Sequence, residues 1–309
     1  DSSLDTQKTG DLTFYQLDEI QTDDISYPNV ALLALELLAT DQLSGSTPNV
    51  NCIIKGRKVS VPEVKYGGSQ IDWEDYYWDN STSQYKRFSD DAVCSWDGST
   101  YVEIYSANPI WCIKDLLLND RYGLGDFIST DHISDSDWLT MSRICEKKVD
   151  DGDSGYEKLY RLDVVIDSKT KALDLLVQLA STFDAFVFYS EGAIKLRIDE
   201  DEDIVHMYGM GTIIKGSLSM NWKSKKEKFN MIHVQYVDSD KEYSMETVSV
   251  VDDTAIASGD PIREKTIRLF MNKQSYALRA ARRALKVAQN VNRSITFGVG
   301  IGDLVLSPG

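Results

Sequence analysis

Histidine occurs only three times in 309 residues, at His132, His206 and His233. None has a spaced partner that would make a metal site or a nucleophile triad, and a lone histidine is ordinarily structural. The four cysteines, Cys52, Cys94, Cys112 and Cys145, show no Cys-x-x-Cys spacing and have no histidine nearby, which argues against zinc. Four cysteines in so long a chain make no disulfide scaffold; they read as buried free thiols of a protein made in a reducing cytoplasm. No apolar run approaches the roughly 20 residues of a membrane helix; Val30 to Leu35 is a short core segment. Positive charge is short too: 33 Lys and Arg against 49 Asp and Glu leave a net charge of −16, the opposite of a nucleic-acid footprint. Such a surface repels phosphate, which suits a wall DNA slides past and equally suits plain solubility. Gly-x-Ser-x-Gly, a phosphate-binding Walker loop and His-Glu-x-x-His are all missing, and no internal repeat stands out. No catalytic, cofactor-binding or metal-ligating residue is therefore assigned. The chain starts at Asp1 without a leader and stops at Ser-Pro-Gly after a strand-like Asp303 to Leu306, so it reads as a piece of a longer polypeptide.

What is present is a soluble globular composition, 42% hydrophobic and 27% charged, in a chain long enough for two or three domains. Its organising stretch is Ser106 to Gly125. Asn108 is a good helix N-cap and Pro109 fits the first helical position. Ile110, Ile113, Leu116 and Leu117 form one apolar stripe, and Gly123 offers a left-handed close. Gly123-x-Gly125 follows a helix rather than opening one, so it cradles no phosphate.

Before this seam the chain reads as β-structure. Leu12 to Tyr15 is a strand, Gln21 to Ser26 a polar turn, and Val30 to Leu38 a strand whose aliphatic density also suits a helix. Val50 to Ile54, the Lys55-Gly56 turn and Arg57 to Val61 predict a hairpin ended by Pro62, and Tyr101 to Tyr105 is a further strand. Residues 63–105 are rich in aromatics, including Trp73, Tyr76, Tyr77, Trp78 and Tyr85, interleaved with Asp72, Glu74, Asp75 and Asp79. That pattern admits a sugar-binding groove or a glycosidase carboxylate pair. It equally describes a decorated β-surface with aromatics packed beneath, which the closeness of the carboxylates in sequence favours.

Beyond the seam, Ser134-x-x-Asp137 resembles a capping box opening a helix with Trp138, Met141, Ile144 and Cys145. Asp150 to Gly155 is an acidic turn with the composition of a cation loop or of a solvated turn. Arg161 to Ile166 predicts a strand, and Ser168 a cap for a helix carrying Ala172, Leu175, Leu176, Leu179 and Phe183. Ala185 to Tyr189, Glu191-Gly192 and Ala193 to Ile198 predict a hairpin. The run Asp199 to Asp203 is no EF-hand, since Ile204 stands where the loop needs glycine; it reads as surface charge. Strands follow at Ile213 to Met220, Met231 to Val237, Tyr243 to Val251 and Arg263 to Phe270. Lys223, Lys225, Lys226 and Lys228 make a basic island, open to DNA, to an acidic neighbour or, as a hairpin tip, to solvent. Lys273 to Asn290 is a helix with a small-residue face (Ala277, Ala281, Ala284, Leu285, Ala288). It also carries a cationic stripe of Arg279, Arg282, Arg283 and Lys286, facing solvent or an acidic neighbouring subunit. Ser294 to Val299 and Asp303 to Leu306 close the chain as strands.

Several stretches taken in order resemble the phage tail tip attachment protein J family, the central tail hub of long-tailed phages. They are Tyr27-Pro28-Asn29-Val30-Ala31-Leu32-Leu33, Lys55 to Val59 ending at Pro62, Trp96-Asp97-Gly98, Asn108-Pro109 through Leu117, and Arg121 to Gly125. Later come the Trp138 helix with Cys145, Phe229 to Tyr236, Gln274 to Leu285 and Phe297-x-Val299-Gly300. The chain departs from the pattern in its aromatic 63–88 insert and its acidic 199–203 run, and it lacks the long C-terminal receptor-binding region of such proteins.

The resemblance implies an α+β, multidomain fold in which antiparallel β-barrel-like tube and hub domains carry an inserted α/β domain. The division expected is 1–105 as a β-rich hub domain, 106–200 as the helical seam plus α/β insert, and 201–309 as a β-rich tube-like domain with a packing helix. It implies a homotrimer at the tail tip of the virion, assembled in the host cytoplasm. Its partners would be the tail tube and other tip proteins, with transient contact to genomic DNA in the channel and host-receptor contact through regions absent here. It implies no catalytic residue, no cofactor and no membrane span. The competing expectation is a carbohydrate-binding adhesin or glycan-processing module of the tail, built around Trp73 to Trp78. A third is the equivalent hub of a contractile injection machine or gene-transfer particle.

Overall fold

A computed structural model describes residues 2–6, 14–19, 54–166, 168–201, 203–224, 228–303 and 306. The chain divides into two compact units, Asp1–Ile54 and Lys55–Gly309. In the first, β1 (Ser2–Thr6) pairs antiparallel with β2 (Phe14–Glu19), whose start falls inside the strand expected from Leu12. The expected turn at 21–26, the strand at 30–38 and residues 50–53 of the hairpin lie outside the described residues.

The second unit opens with β3 (Lys58–Pro62), followed by β4 (Lys65–Tyr66), β5 (Ser69–Gln70), β6 (Tyr76–Asp79), β7 (Gln84–Arg87) and β8 (Tyr101–Tyr105). Among the described residues β3 pairs with β8, from Lys58 opposite Tyr105 to Pro62 opposite Tyr101, so the aromatic insert is a loop thrown between two paired strands. Inside it β6 and β7 form a hairpin.

The seam helix α1 (Pro109–Leu118) begins as its sequence dictates: the Asn108 side chain accepts from the Ile110 N–H at 3.0 Å, and proline takes the first turn. Ile110, Ile113 and Leu117 are fully buried; each contributes about 1.5–3 kcal/mol by leaving water. Its close differs from expectation. The helix stops at Leu118, Asn119 is extended, and Gly123 keeps an ordinary backbone conformation. The glycine is required by a close approach instead: a Cβ there would stand 2.0 Å from the Leu116 carbonyl oxygen. The chain folds back over the last turn, Leu124 N–H donating to Leu116 O.

Next come α2 (Asp135–Cys145), β9 (Lys148–Asp150) and β10 (Tyr156–Lys158). Ser134 precedes α2 without a capping bond; its hydroxyl meets that of Ser136 at 3.2 Å. Residues 161–166 form no strand. The Leu162 N–H goes to Ala107 O and the Asp163 N–H to Phe270 O, so the backbone serves two neighbours in turn and builds a ladder with neither. Helix α3 (Ala172–Ser181) starts after an extended Lys171, not at Ser168. The hairpin β11 (Ala185–Ser190) and β12 (Ala193–Ile198) forms in the expected register, with Glu191 and Gly192 both at positive φ, the two-residue turn that matches strand twist. α1, α2, α3 and this hairpin enclose one core with Trp138, Phe183 and Leu196.

The remainder comprises β13 (Ser219–Trp222), β14 (Met231–Asp238), β15 (Ser244–Val251), α4 (Asp253–Ala257), β16 (Glu264–Arg268), α5 (Gln274–Asn290) and β17 (Arg293–Thr296). β14 is central, antiparallel to β15 and parallel to β16. Its alternation puts Ile232, Val234 and Tyr236 on one face, against which α5 lays Ala277, Ala281 and Leu285 as a second core. β13 pairs with β17, and Ile213 bridges singly to Val299, so regular pairing starts later than the expected Ile213. Ile301–Asp303 is a short 3-10 turn where a strand was expected to begin, and residues 304 and 305 lie outside the described ones. The described sheets have two or three strands, and none closes into a barrel. The architecture is α+β.

Candidate functional site

The aromatic insert was the one stretch with a sugar-site composition, so its geometry decides what it offers. Trp73, Tyr76, Tyr77, Trp78 and Tyr85 are all buried. Tyr85 meets Trp78 edge-on at 4.8 Å and Tyr76 at 5.4 Å between ring centroids. Basic side chains cover the rings: the Lys158 ammonium stands 3.7 Å from the centre of Trp73 and 4.3 Å from that of Tyr76, and the Arg143 guanidinium 4.1 Å from Trp78. A pyranose needs an open ring face to stack on. Neither tryptophan presents one.

Beneath the rings lies a polar node that sequence reading missed. Glu146, at the C-terminal end of α2, is 1% exposed. Its Oε1 accepts from Trp73 Nε1 at 2.8 Å and from Asn108 Nδ2 at 2.9 Å, while Asn108 Nδ2 also reaches Ser142 O at 3.1 Å. Asn108 therefore caps α1 with its oxygen and ties α1 to α2 with its nitrogen. Lys158, 4% exposed, donates to the Trp73 carbonyl. Burial pushes its ammonium down to about 7, against the upward pull of Glu146. Paired residues at 73, 108, 146 and 158 leave no periodic trace in sequence, which is why the node was illegible.

The cationic stripe of α5 is the second feature, and it corrects the expectation of a face turned to solvent or to another subunit. Arg279 Nη1 pairs with Glu157 Oε1 at 2.8 Å, and its Nη2 donates to Leu159 O at 3.2 Å. Arg283 Nε pairs with Asp184 at 3.1 Å and Nη2 with Asp199 at 3.0 Å. Burial pushes the Asp184 carboxyl up, and Arg283 works against that shift. Both arginines thus clamp α5 onto β10 and onto the ends of the β11–β12 hairpin within one chain. Asp199 and Glu200 of the acidic run are thus drawn into internal pairs, since Glu200 also meets Lys147 at 2.6 Å. Only Arg282 and Lys286 of the stripe point outward, both exposed.

Two clefts flank α5. One, of about 980 Å³, holds Arg161, Arg279, Arg282 and Lys286 with Tyr160, Tyr276 and Val291. The other, of about 400 Å³, lies between α5, β16, the start of β11 and the segment before β14. The basic island borders this second cleft. It is not a hairpin tip, because β13 and β14 belong to different sheets and Lys223 to Lys228 links them; Lys225 and Lys226 lie outside the described residues.

Other sequence candidates resolve locally. Asp150 accepts from the Gly152 N–H, and Asp151 from those of Asp153 and Gly155, so this acidic turn is spent on its own backbone. Cys94 and Cys145 are buried and free, and Cys112 is half-buried, its thiol pushed up to about 12 by burial; Cys52 lies outside the described residues. No group of three or more His, Cys, Asp or Glu among the described residues is placed to hold a metal, and no described helix is long and apolar enough to cross a membrane. One histidine does have triad-like neighbours. His233 Nδ1 lies 2.6 Å from Ser249 Oγ, and Nε2 lies 3.6 Å from Glu264 Oε2. These are cross-strand neighbours on the face of β15–β14–β16 away from α5, and central β14 is paired on both sides.

Comparison with known proteins finds similarity to phage tail proteins. A family profile described as "Putative phage tail protein" matches residues 171–309. The tip attachment protein J of Escherichia phage SECphi27 is 26% identical over 230 residues, covering 74% of this chain and 19% of that protein. The tip attachment protein J of Escherichia phage SECphi4 is 26% identical over 317 residues, covering 99% of this chain and 25% of that protein. The chain thus spans a fifth to a quarter of the length of these curated relatives. Among solved structures, a chain from the "Virion of native gene transfer agent (GTA) particle" aligns with a TM-score of 0.37 and 14% identity, covering 42% of this chain and 30% of that one. The resemblance read from the sequence is borne out: the chain is similar to phage tail proteins, and to tip attachment protein J along nearly all of its length.

Proposed function

We propose that this chain is a structural component of a phage tail tip. One observation carries the reading: similarity to a tip attachment protein runs over 99% of the chain, rather than over one borrowed module. The chemistry supports it. The buried and half-buried polar groups are engaged in holding elements together: Glu146 of α2 and Lys158 of β10 against Trp73 of the aromatic insert, and Arg279 and Arg283 across α5. A part that transmits load through a particle needs such cross-ties and no catalytic group, and we assign none.

The finer reading is a homotrimeric hub closing the tail tube and linking it to host-recognition parts. In it, 1–105 and 201–309 are the hub and tube-like portions and 106–200 the insert, with barrels completed between subunits. The tail tube and other tip proteins are its partners, and host-receptor contact falls to sequence outside these 309 residues. It is assembled in the host cytoplasm and carried in the virion. The net charge of −16 then fits a channel wall that genomic DNA passes without being held. The glycan-binding alternative loses its platforms, because Trp73 and Trp78 are buried under basic side chains. The corresponding hub of a gene-transfer particle or contractile machine shares the same mechanics, and neighbouring genes separate it from a phage. Immunogold labelling of intact particles with antibody raised against the 309-residue chain tests the reading. Label is expected at the distal end of the tail; label on the capsid, or none on purified particles, overturns it.

A further inference from the structure

The smaller cleft beside α5 is out of character with the rest of the molecule. In a chain of net charge −16, its walls carry four cationic side chains, Lys223, Lys228, Lys265 and Arg283, against two carboxylates, Asp184 and Asp199. Arg283 is bound to both carboxylates, at 3.1 and 3.0 Å. The three lysines therefore face the cleft with no carboxylate partner among the described residues. They come from different elements, Lys265 from β16 and the others from the segment leading into β14, so folding gathers them and local sequence alone does not. Lysines lining one concavity focus a positive potential there.

The cleft is also aromatic. Phe229 lies in its wall with the Lys265 ammonium 5.2 Å from its ring centre, and Phe186 is 55% exposed there. Its volume of about 400 Å³ falls in the range of small-ligand sites, about 300–1,000 Å³. Cations beside one exposed ring, Phe186, and one half-buried ring, Phe229, suit a ligand that offers carboxylates and an apolar side chain together. A nucleic acid fits less well, because its backbone continues past the cleft onto a surface of the same sign. A short peptide segment places its charge only where the lysines are.

We propose that this cleft docks a short acidic peptide segment of a partner protein, its carboxylates on Lys223, Lys228 and Lys265 and an apolar side chain against Phe186. The inference stands on the charge and shape of the cleft and does not rest on the tail reading. It is tested by fluorescence anisotropy of a labelled peptide of repeated Glu-Glu-Phe, titrated with the full chain beside a labelled oligothymidine of equal length. Saturable peptide binding, tighter than that of the oligonucleotide, is expected. Combined Lys223→Glu, Lys228→Glu and Lys265→Glu is expected to weaken it by at least about tenfold, whereas Arg282→Glu with Lys286→Glu, on the other cleft, leaves it unchanged. If the glutamate variant fails to fold, the same three positions changed to glutamine give the same reading. No peptide binding, binding indifferent to the three lysines, or oligonucleotide binding as tight as the peptide's each overturns the proposal, the last in favour of nucleic acid.

Discussion

Lys158 concentrates the physical tension of this molecule in one side chain. It is nearly sealed from water between Trp73 and Tyr76, with Glu146, Glu74 and Asp75 drawing on its charge and Arg161 opposing it. Burial wins, and the ammonium is pushed from 10.5 down to about 7. In the unfolded chain it keeps its ordinary value. Between about pH 7 and pH 10 the unfolded state therefore holds the proton that the folded state has lost, and this group makes stability rise with pH. Below pH 7 both states are protonated, and the fold bears the full cost of the buried charge. Urea unfolding across this window is expected to show a slope for the native chain steeper than that of Lys158→Met, by up to about 1.4 kcal/mol per pH unit. Equal slopes would mean that the aromatic faces keep Lys158 charged. Above pH 10 the trend reverses, because burial raises the phenols of Tyr76, Tyr85 and Tyr276 while unfolded tyrosines ionise normally.

At the scale of elements, α5 shows what a stripe of charge is for. Arg279 reaches Glu157, whose side chain is 7% exposed, and among the described residues the Ser275 hydroxyl is what would remain on that carboxylate if the arginine were removed. Arg279→Ala is expected to cost roughly 2 kcal/mol, between the ~1 of surface pairs and the ~3–5 of fully buried ones. Arg282→Ala, at an exposed neighbouring position, is expected to stay within about 0.5 kcal/mol. Equal small losses in thermal or urea unfolding would show that the clamp contributes nothing. The helix itself was legible from its alanines, and so were α1 from Asn108-Pro109 and the β11–β12 hairpin from Glu191-Gly192, because each is written in neighbouring residues. The destination of Arg279 and Arg283 was not, since Glu157 and Asp184 lie about a hundred positions away. The same limit explains residues 161–166, which have strand composition but lend their N–H groups to two different neighbours. Gly123 shows it on a smaller scale: its sequence context says helix end, while the requirement is an approach to the Leu116 carbonyl that no side chain fits.

At the scale of the molecule, the α1–α3 core and the β14–α5 core are joined by the α5 arginines and by Phe270. That residue packs against the first core while its carbonyl receives the Asp163 N–H. The candidate sites turned out to be joints, and the resemblance to tail proteins gives those joints a use. The proposed reading places this part in an assembly at the tail tip. Cryo-electron microscopy of the tail tip of the particle that carries this chain tests that most directly. The expected map holds, at the distal end of the tail tube, three copies around the tail axis in which α5 crosses the β15–β14–β16 sheet beside the α1–α3 core. A tail tip resolved to side-chain detail with no density for this fold would contradict the central claim.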